Sequence, residues 1–164
     1  MMRMQPLMIT NLIAEQLLAT HQPISMDKDL WNMAEQKDKE LSGIETFEEQ
    51  LQILKRIPID YQIKSLIAII QKMDRYKKQL FRLADVYETG DIQKIQKLSK
   101  KGLGGIRRFM ITDRNHIMAD RIIEKAKQNS LFCAIGAGHL AGKEGVLKLL
   151  KDKGLSVKPI RIKN

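Results

Sequence analysis

The chain of 164 residues has little of several residue types: a single cysteine, four prolines and 5% aromatic residues. One cysteine, Cys133, excludes an intramolecular disulfide and an all-cysteine metal cage. No apolar run approaches the roughly 18 residues that a membrane span needs. Near the N-terminus, Arg3, Gln5 and Glu15 interrupt the apolar stretch that a signal peptide requires. We therefore expect a soluble chain with no visible targeting segment, cytoplasmic by default.

The composition is that of a folded protein, since 43% of the residues are hydrophobic and 29% are charged. That balance disfavours wholesale disorder, and the length suits one domain over residues 1–164. The charge is unevenly placed: residues 1–90 hold 12 basic and 13 acidic side chains, a net of −1, whereas residues 91–164 hold 17 and 6, a net of +11. A basic half could attract an acidic partner, nucleic acid or an anionic surface. A solvated lysine face is the simpler alternative.

Proteins that bind nucleic acid usually combine a basic surface with aromatic side chains or with a zinc finger. The basic half has only two aromatic residues, Phe109 and Phe132, and both lie in apolar runs. We therefore expect no sequence-specific nucleic-acid binding.

Apolar spacing predicts helices over most of the chain. A Thr-x-x-Glu capping box at Thr46 and Glu49 predicts the start of one of them. Asp60 should cap a long helix with one apolar stripe, formed by Ile63, Leu66, Ile67 and Ile70. The predicted helical segments are residues 6–33 with a break at 20–23 and a second helix from 27 to about 40, then 47–56, 60–87, 91–100, 106–128 and 143–153. Gly90 is predicted to end one helix and Asp91 to cap the next. Gly154 is predicted to be the C′ residue after the last helix, a position that favours a left-handed glycine.

Three short segments have the pattern of strands. Residues 41–45 and 131–135 are apolar runs, the second of which predicts a buried strand. Residues 155–162 alternate around Pro159, which favours an edge position. The residues therefore predict a helix-rich α/β fold, with a few-stranded sheet, long helices and a C-terminal strand–turn–helix–strand unit.

The turn in that unit, residues 136–142 (GAGHLAG), is the most informative segment. Gly136 and Gly138 would let the backbone approach a ligand, and the following helix would present its amides there. The loose G-x-G-x-x-A pattern also allows a dinucleotide site. That interpretation is disfavoured, because the acidic residue expected about 20 positions later is absent.

His139 lies in this turn, where a neutral imidazole could ligate a metal ion or move a proton. A structural histidine is the simpler alternative. Glu45, at another predicted strand end, and the run Asp113-Arg114-Asn115-His116 could join it. Arg114 could clamp a carboxylate or phosphate, or form a surface ion pair with Asp113 or Asp120. Cys133 is predicted to be an inert buried thiol.

Several stretches then form a recognisable pattern: residues 113–115 (DRN), 118–119 (MA), 132–142 (FCAIGAGHLAG), 145–150 (GVLKLL), 154–157 (GLSV) and, upstream, 43–51 (GIETFEEQL). Together they resemble the C-terminal region of the TraB/GumN family, which is related to the TIKI metalloproteases. That family shows an E-R-N motif, a G-x-x-H within GAGHLxGxxGxxxLLxxxGYxV, and a GLETxxEQ segment. The resemblance covers about residues 6–160.

The resemblance implies that His139 is a metal ligand for a divalent ion such as Mn, Zn or Co. It also implies that Glu45, Arg114 and Asn115 are catalytic residues. Two departures matter. Asp113 replaces the family's usual Glu, and the sequence holds no second Gly-x-x-His, so the domain resembles one truncated on its N-terminal side.

The implied function is metal-dependent peptide hydrolysis, weak or inactive in this chain alone because metal sites of this kind need about three protein ligands. The alternative is a non-catalytic module that binds a peptide, a partner chain or an acidic surface. Missing strands would expose a sheet edge, which favours a homo-oligomer or a partner that supplies the missing half. Many relatives are exported or membrane-attached, although membrane association is not evident in this sequence.

Overall fold

A computed structural model describes residues 4–19 and 25–160 of the chain. This described part contains eight α-helices in two compact units, Met1–Thr89 and Gly90–Asn164. The helices are α1 (Pro6–Leu18), α2 (Met26–Glu35), α3 (Phe47–Lys55), α4 (Ile59–Gln71), α5 (Met73–Glu88), α6 (Ile92–Leu103), α7 (Asp113–Gln128) and α8 (Val146–Asp152).

In the N-terminal unit, α1 packs against α4 and α5. Gln62 on α4 is buried, and its side-chain amide joins two segments. Its Nε2 donates to the Ile57 carbonyl at 3.0 Å, and its Oε1 accepts from the Leu7 amide at 3.2 Å. A buried amide is stable only when its polar atoms are paired in this way. Gln62 therefore ties the first turn of α1 to the start of α4.

The long helix predicted over residues 60–87 is interrupted. It begins at Ile59, with Pro58 rather than Asp60 at the N-cap, and it is divided at Lys72, which has non-helical torsion angles (φ −129°, ψ 43°). The predicted apolar stripe is largely exposed, because Ile63, Ile67 and Ile70 all face solvent. The adjoining face, which carries Gln62 and the half-buried Leu66 of the predicted stripe, packs inward.

Local capping signals predicted helix starts well. The Thr46 hydroxyl accepts from the Glu49 amide at 3.2 Å, and the Glu49 carboxylate accepts from the Thr46 amide at 2.8 Å. The predicted capping box is confirmed. Gly90 has a positive φ of 67°, and Asp91 caps α6, also as predicted. The predicted break at residues 20–23 lies outside the described residues.

The core of the C-terminal unit lies between α7 and α8, which pack against each other. Helix α8 was predicted over residues 143–153 and is shorter. After α8, Gly154 takes the predicted left-handed conformation with φ 93°. The buried apolar residues of the two helices are Met118, Ala119, Ile122, Val146, Leu149 and Leu150.

Between α6 and α7 the chain remains helical but is no longer α-helical. A 3-10 turn covers Gly104–Ile106, and a π-helical turn covers Arg108–Thr112. The helix predicted from residue 106 therefore becomes regular only at Asp113. Gly104, with φ 44°, marks the end of α6.

The prediction of an α/β fold with a few-stranded sheet is wrong for the residues that the structure describes, which contain no strand. None of the described residues in 41–45, 131–135 and 155–160 is assigned to a strand. A strand is held by hydrogen bonds to a neighbour, so an apolar alternating run by itself cannot form a sheet. Residues 161–162, the end of the third predicted strand, lie outside the described part. Nor is 131–135 a buried segment, since Phe132 is 81% exposed.

Candidate functional site

The site is built around Asn115, in the first turn of α7, which is only 2% exposed. Its side-chain amide bridges two parts of the glycine-rich turn. The Nδ2 donates to the Glu144 carbonyl at 2.6 Å, and the Oδ1 lies 2.6 Å from Nδ1 of His139. The sequence had singled out both Asn115 and His139, and the structure brings them into direct contact.

This arrangement selects one tautomer of the neutral imidazole. Because the amide of Asn115 must donate to the Glu144 carbonyl, its oxygen is the atom that faces His139. An amide oxygen accepts only, so Nδ1 of His139 carries the proton and donates. The lone pair of the ring is then on Nε2, the nitrogen that could ligate a metal ion or accept a proton.

His139 ends a 3-10 turn, Ala137–His139, that packs against α6. Its amide donates to the Gly136 carbonyl at 2.9 Å. The two glycines singled out from the sequence are not sterically required here. A Cβ at Gly136 would lie 3.8 Å from the His139 ring, and one at Gly138 would lie 3.9 Å from Ser99, both ordinary contacts.

Two later glycines are the ones that the turn demands. A Cβ at Gly145 would lie 2.5 Å from the carbonyl oxygens of Leu140 and Ala141, which belong to the backbone and cannot move aside cheaply. At Gly142 the φ is 100°, and a Cβ would lie 2.9 Å from Nε2 of Gln96. Sequence reasoning missed both roles, because they depend on where the chain folds back on itself.

Backbone hydrogen bonds join the start of α8 to the chain before it. Helix α8 has seven residues, and its first amides are engaged within the turn. Leu147 donates to the Leu140 carbonyl at 3.3 Å, and Lys148 and Leu149 donate to the Gly145 carbonyl at 3.0 Å each. The bond from Leu147 to Leu140 ties the glycine-rich turn to the first turn of α8.

Arg114 is half-buried beside Asn115, and its Nη1 donates to the Met110 carbonyl at 3.2 Å. That carbonyl belongs to the π-helical turn, whose widened winding is common near functional sites. Asp113 lies 3.6 Å from Nε of Arg108, and Asp120 lies 2.7 Å from Nζ of Lys153.

Glu45 does not belong to the same unit. It is half-buried in the N-terminal unit, directly before the Thr46 cap of α3. The C-terminal unit holds the other site residues that the sequence predicted: Arg114, Asn115, Gly136, Gly138 and His139.

The donor set was tested against the metal ion that the sequence pattern implies. Over residues 4–19 and 25–160, no group of three or more His, Cys, Asp or Glu side chains could hold a metal ion. Near the turn, Nε2 of His116 lies 3.9 Å from the Glu144 carboxylate, and both side chains are about half exposed. The described residues therefore do not fit a complete three-ligand centre.

Cys133 lies six residues before His139 and is half-buried, less than the sequence predicted. Burial raises the pKa of its thiol above the ordinary 9.0. The thiolate is the reactive form, so this cysteine reacts slowly at neutral pH.

Comparison with known proteins places the whole pattern in one family. The model of the TraB/PrgY/gumN family matches residues 1–159 of the 164. No curated protein and no solved structure matches the chain. None of the helices in the described part has the length and apolar character that a membrane span requires.

Proposed function

Because the chain belongs to the TraB/PrgY/gumN family, we propose that its C-terminal unit supplies one half of a metal-dependent peptide-hydrolysing site. The observation that carries the proposal is the contact between His139 and Asn115, at 2.6 Å. It holds the imidazole in one tautomer, with the Nε2 lone pair as its donor atom. A hydrogen-bonded partner of this kind is what orients a metal-ligating histidine in proteins.

This half-site is weak or inactive by itself, because a hydrolytic metal centre needs about three protein ligands. The described residues supply His139 and its orienting amide, and no three-ligand group. The remaining ligands would come from a second copy or from a partner chain that supplies the missing half. A divalent ion such as Mn, Zn or Co, once bound, would supply an activated water.

The resemblance implies roles for two further residues. Arg114, anchored to the Met110 carbonyl, would hold a carboxylate of the peptide or of the site. Glu45 belongs to the N-terminal unit, and the role that the resemblance implies for it, a proton acceptor or a support, is a separate proposal.

The test is a calorimetric titration of the full chain with zinc and with manganese. We expect measurable binding in the parent, loss in His139→Ala, and retention in His116→Ala. His116 is the matched control, because it is a half-exposed histidine on α7 whose ring nitrogen Nε2 lies 3.9 Å from the Glu144 carboxylate. A His139→Gln variant guards against loss of fold, since it keeps a polar side chain in the turn.

Equal binding in the parent and in both His139 variants would contradict the proposal, as would no binding in any of them. The latter result would favour a second candidate, a non-catalytic module. That candidate has its own support in the net charge of +11 over residues 91–164. A charge of this size favours association with acidic partners or surfaces.

A further inference from the structure

Residues 131–135 (LFCAI) connect α7 to the turn that carries His139 without a helix, turn or bend, which is the path of a straight chain. Within the described part of the chain, their backbone amides and carbonyls make no hydrogen bond to another backbone segment. An extended segment with unpaired backbone groups is a template for a further strand. This is an interaction surface that the proposed half-site does not use.

From residue 132 to residue 135 the side chains alternate in burial as they would on a strand, whereas Leu131 before them is exposed. Cys133 and Ile135 are half-buried, whereas Phe132 and Ala134 are exposed. Phe132, at 81% exposure, is a large apolar side chain without cover. One face of the segment therefore rests on the unit, and the other is open.

The charge around the segment also permits close approach of an identical chain. No Asp, Glu, Lys or Arg occurs between Lys127 and Lys143, in a half of the molecule whose net charge is +11. Two copies would repel each other over most of this half. They can meet along this uncharged stretch without placing like charges opposite one another.

We propose that two copies of the chain associate by pairing residues 131–135 as antiparallel strands, with the two-fold axis at Cys133. In that register the exposed Leu131 lies opposite the half-buried Ile135 of the second copy, on the face that carries Cys133. On the open face Phe132 lies opposite Ala134, so that each large ring covers a small side chain. The segment is thus self-complementary, as an isologous interface requires.

The pairing keeps the two half-sites apart. Gly136, where each turn begins, lies three residues from the axis, so the two turns start on the order of 20 Å from each other at the usual strand rise. The dimer therefore does not join the two His139 side chains at one metal ion, and self-association and metal binding can be tested independently.

The first test is sedimentation equilibrium of the full chain up to millimolar concentration. We expect a species of twice the 18.9 kDa mass, favoured by salt because screening weakens the repulsion between basic units. Phe132→Lys should weaken the dimer by about tenfold or more, since an isologous interface loses the contact twice.

Ile160→Lys is the matched control, because Ile160 is 92% exposed on the other extended segment and carries the same change. It should leave the dimer intact. A chain that stays monomeric at every concentration and salt level overturns the proposal. If Phe132→Lys and Ile160→Lys weaken the dimer equally, or if Phe132→Lys does not weaken it, the proposed strand pairing at residues 131–135 is wrong.

Chemical cross-linking through Cys133 is a second test. Its main sample is the parent chain, so the expected result does not depend on the stability of a variant. Opposite residues of an antiparallel pair have Cα atoms about 4.5–5.5 Å apart, so a short bis-maleimide should link the two Cys133 thiols into a covalent dimer at alkaline pH. A Cys133→Ser chain that carries Ile160→Cys should give little cross-linked product. The reverse pattern would place the interface elsewhere.

Discussion

At the scale of single residues, Asn115 holds the candidate site together. It is buried in the first turn of α7, and it joins the Glu144 carbonyl to the His139 ring with one amide group. No other amino acid of that size both donates to a carbonyl and accepts from an imidazole in one plane. The tautomer of His139 and the closure of the turn therefore depend on the same side chain.

We predict that Asn115→Leu, which keeps the branched arrangement of non-hydrogen atoms but removes the amide, lowers the free energy of unfolding by about 1–3 kcal/mol. The reason is that the Glu144 carbonyl loses its amide donor while remaining partly buried. The nitrogen chemical shifts of His139 should change too, because Nδ1–H loses its acceptor. Urea unfolding followed by circular dichroism and an NMR spectrum of the imidazole measure the two effects.

Gln128→Leu removes an exposed side-chain amide from the same helix and is the control. It should leave both measurements close to the parent. If Asn115→Leu left the imidazole spectrum unchanged, the proposed tautomer would be wrong.

At the scale of elements, α6 depends on its N-cap. The Asp91 carboxylate accepts from the Lys94 amide at 3.0 Å and lies 3.2 Å from the Lys94 ammonium group. The hydrogen bond from the Lys94 amide, followed by that from its side chain, lowers the pKa of Asp91 below its ordinary 3.8. Helix α6 in turn packs on the Ala137–His139 turn, so this cap supports the site indirectly.

The pH dependence follows from the sign of that shift. A carboxyl group with a lowered pKa in the folded state stabilises the fold fully above its unfolded pKa, and this stabilisation is lost as the pH falls through the folded pKa. We predict that the parent loses stability relative to Asp91→Asn below about pH 3.8, because asparagine caps the helix without a charge.

Urea unfolding of both proteins across the acidic range measures the difference between their free energies of unfolding. The other carboxyl groups are the same in the two proteins, so their titration does not contribute to this difference. A difference that does not vary with pH would show that the charge of Asp91 does not contribute to the cap.

Several helix ends were predicted correctly from local sequence signals, whereas the strands were not. The capping box at Thr46, the Gly90-Asp91 junction and the left-handed Gly154 were all predicted, because each depends on a few neighbouring residues. The three strands were predicted wrongly. Apolar alternation is necessary for a strand, but a ladder also needs a second segment at hydrogen-bonding distance.

At the scale of the whole molecule, charge and architecture divide at the same place. The boundary between the two compact units falls between Thr89 and Gly90. The charge changes at that junction, from a net of −1 over residues 1–90 to +11 over residues 91–164. The C-terminal unit is therefore a basic body that also carries His139.

We predict that a polyanion such as heparin binds the chain through this unit, with an affinity that falls steeply as salt rises. The test substitutes three exposed lysines of the C-terminal unit with glutamate: Lys143, Lys151 and Lys158. This variant should bind heparin more weakly than the parent.

The matched variant carries the same three changes at exposed lysines of the N-terminal unit: Lys37, Lys39 and Lys55. Equal losses in the two variants would mean that only total charge matters. Binding that does not respond to salt would contradict an electrostatic origin.

The sequence by itself determined the family, the helical segments with most of their caps, the charge asymmetry and the choice of Asn115 and His139 as candidates. These features are local, since each is encoded within a short stretch of chain. Only the tertiary structure decided that Asn115 and His139 are in contact, although 24 residues separate them. It also decided that Gly145 rather than Gly136 is sterically required, and that residues 131–135 remain unpaired in the described chain. Contacts between distant segments depend on how helices pack, and packing is not encoded in any one stretch of residues.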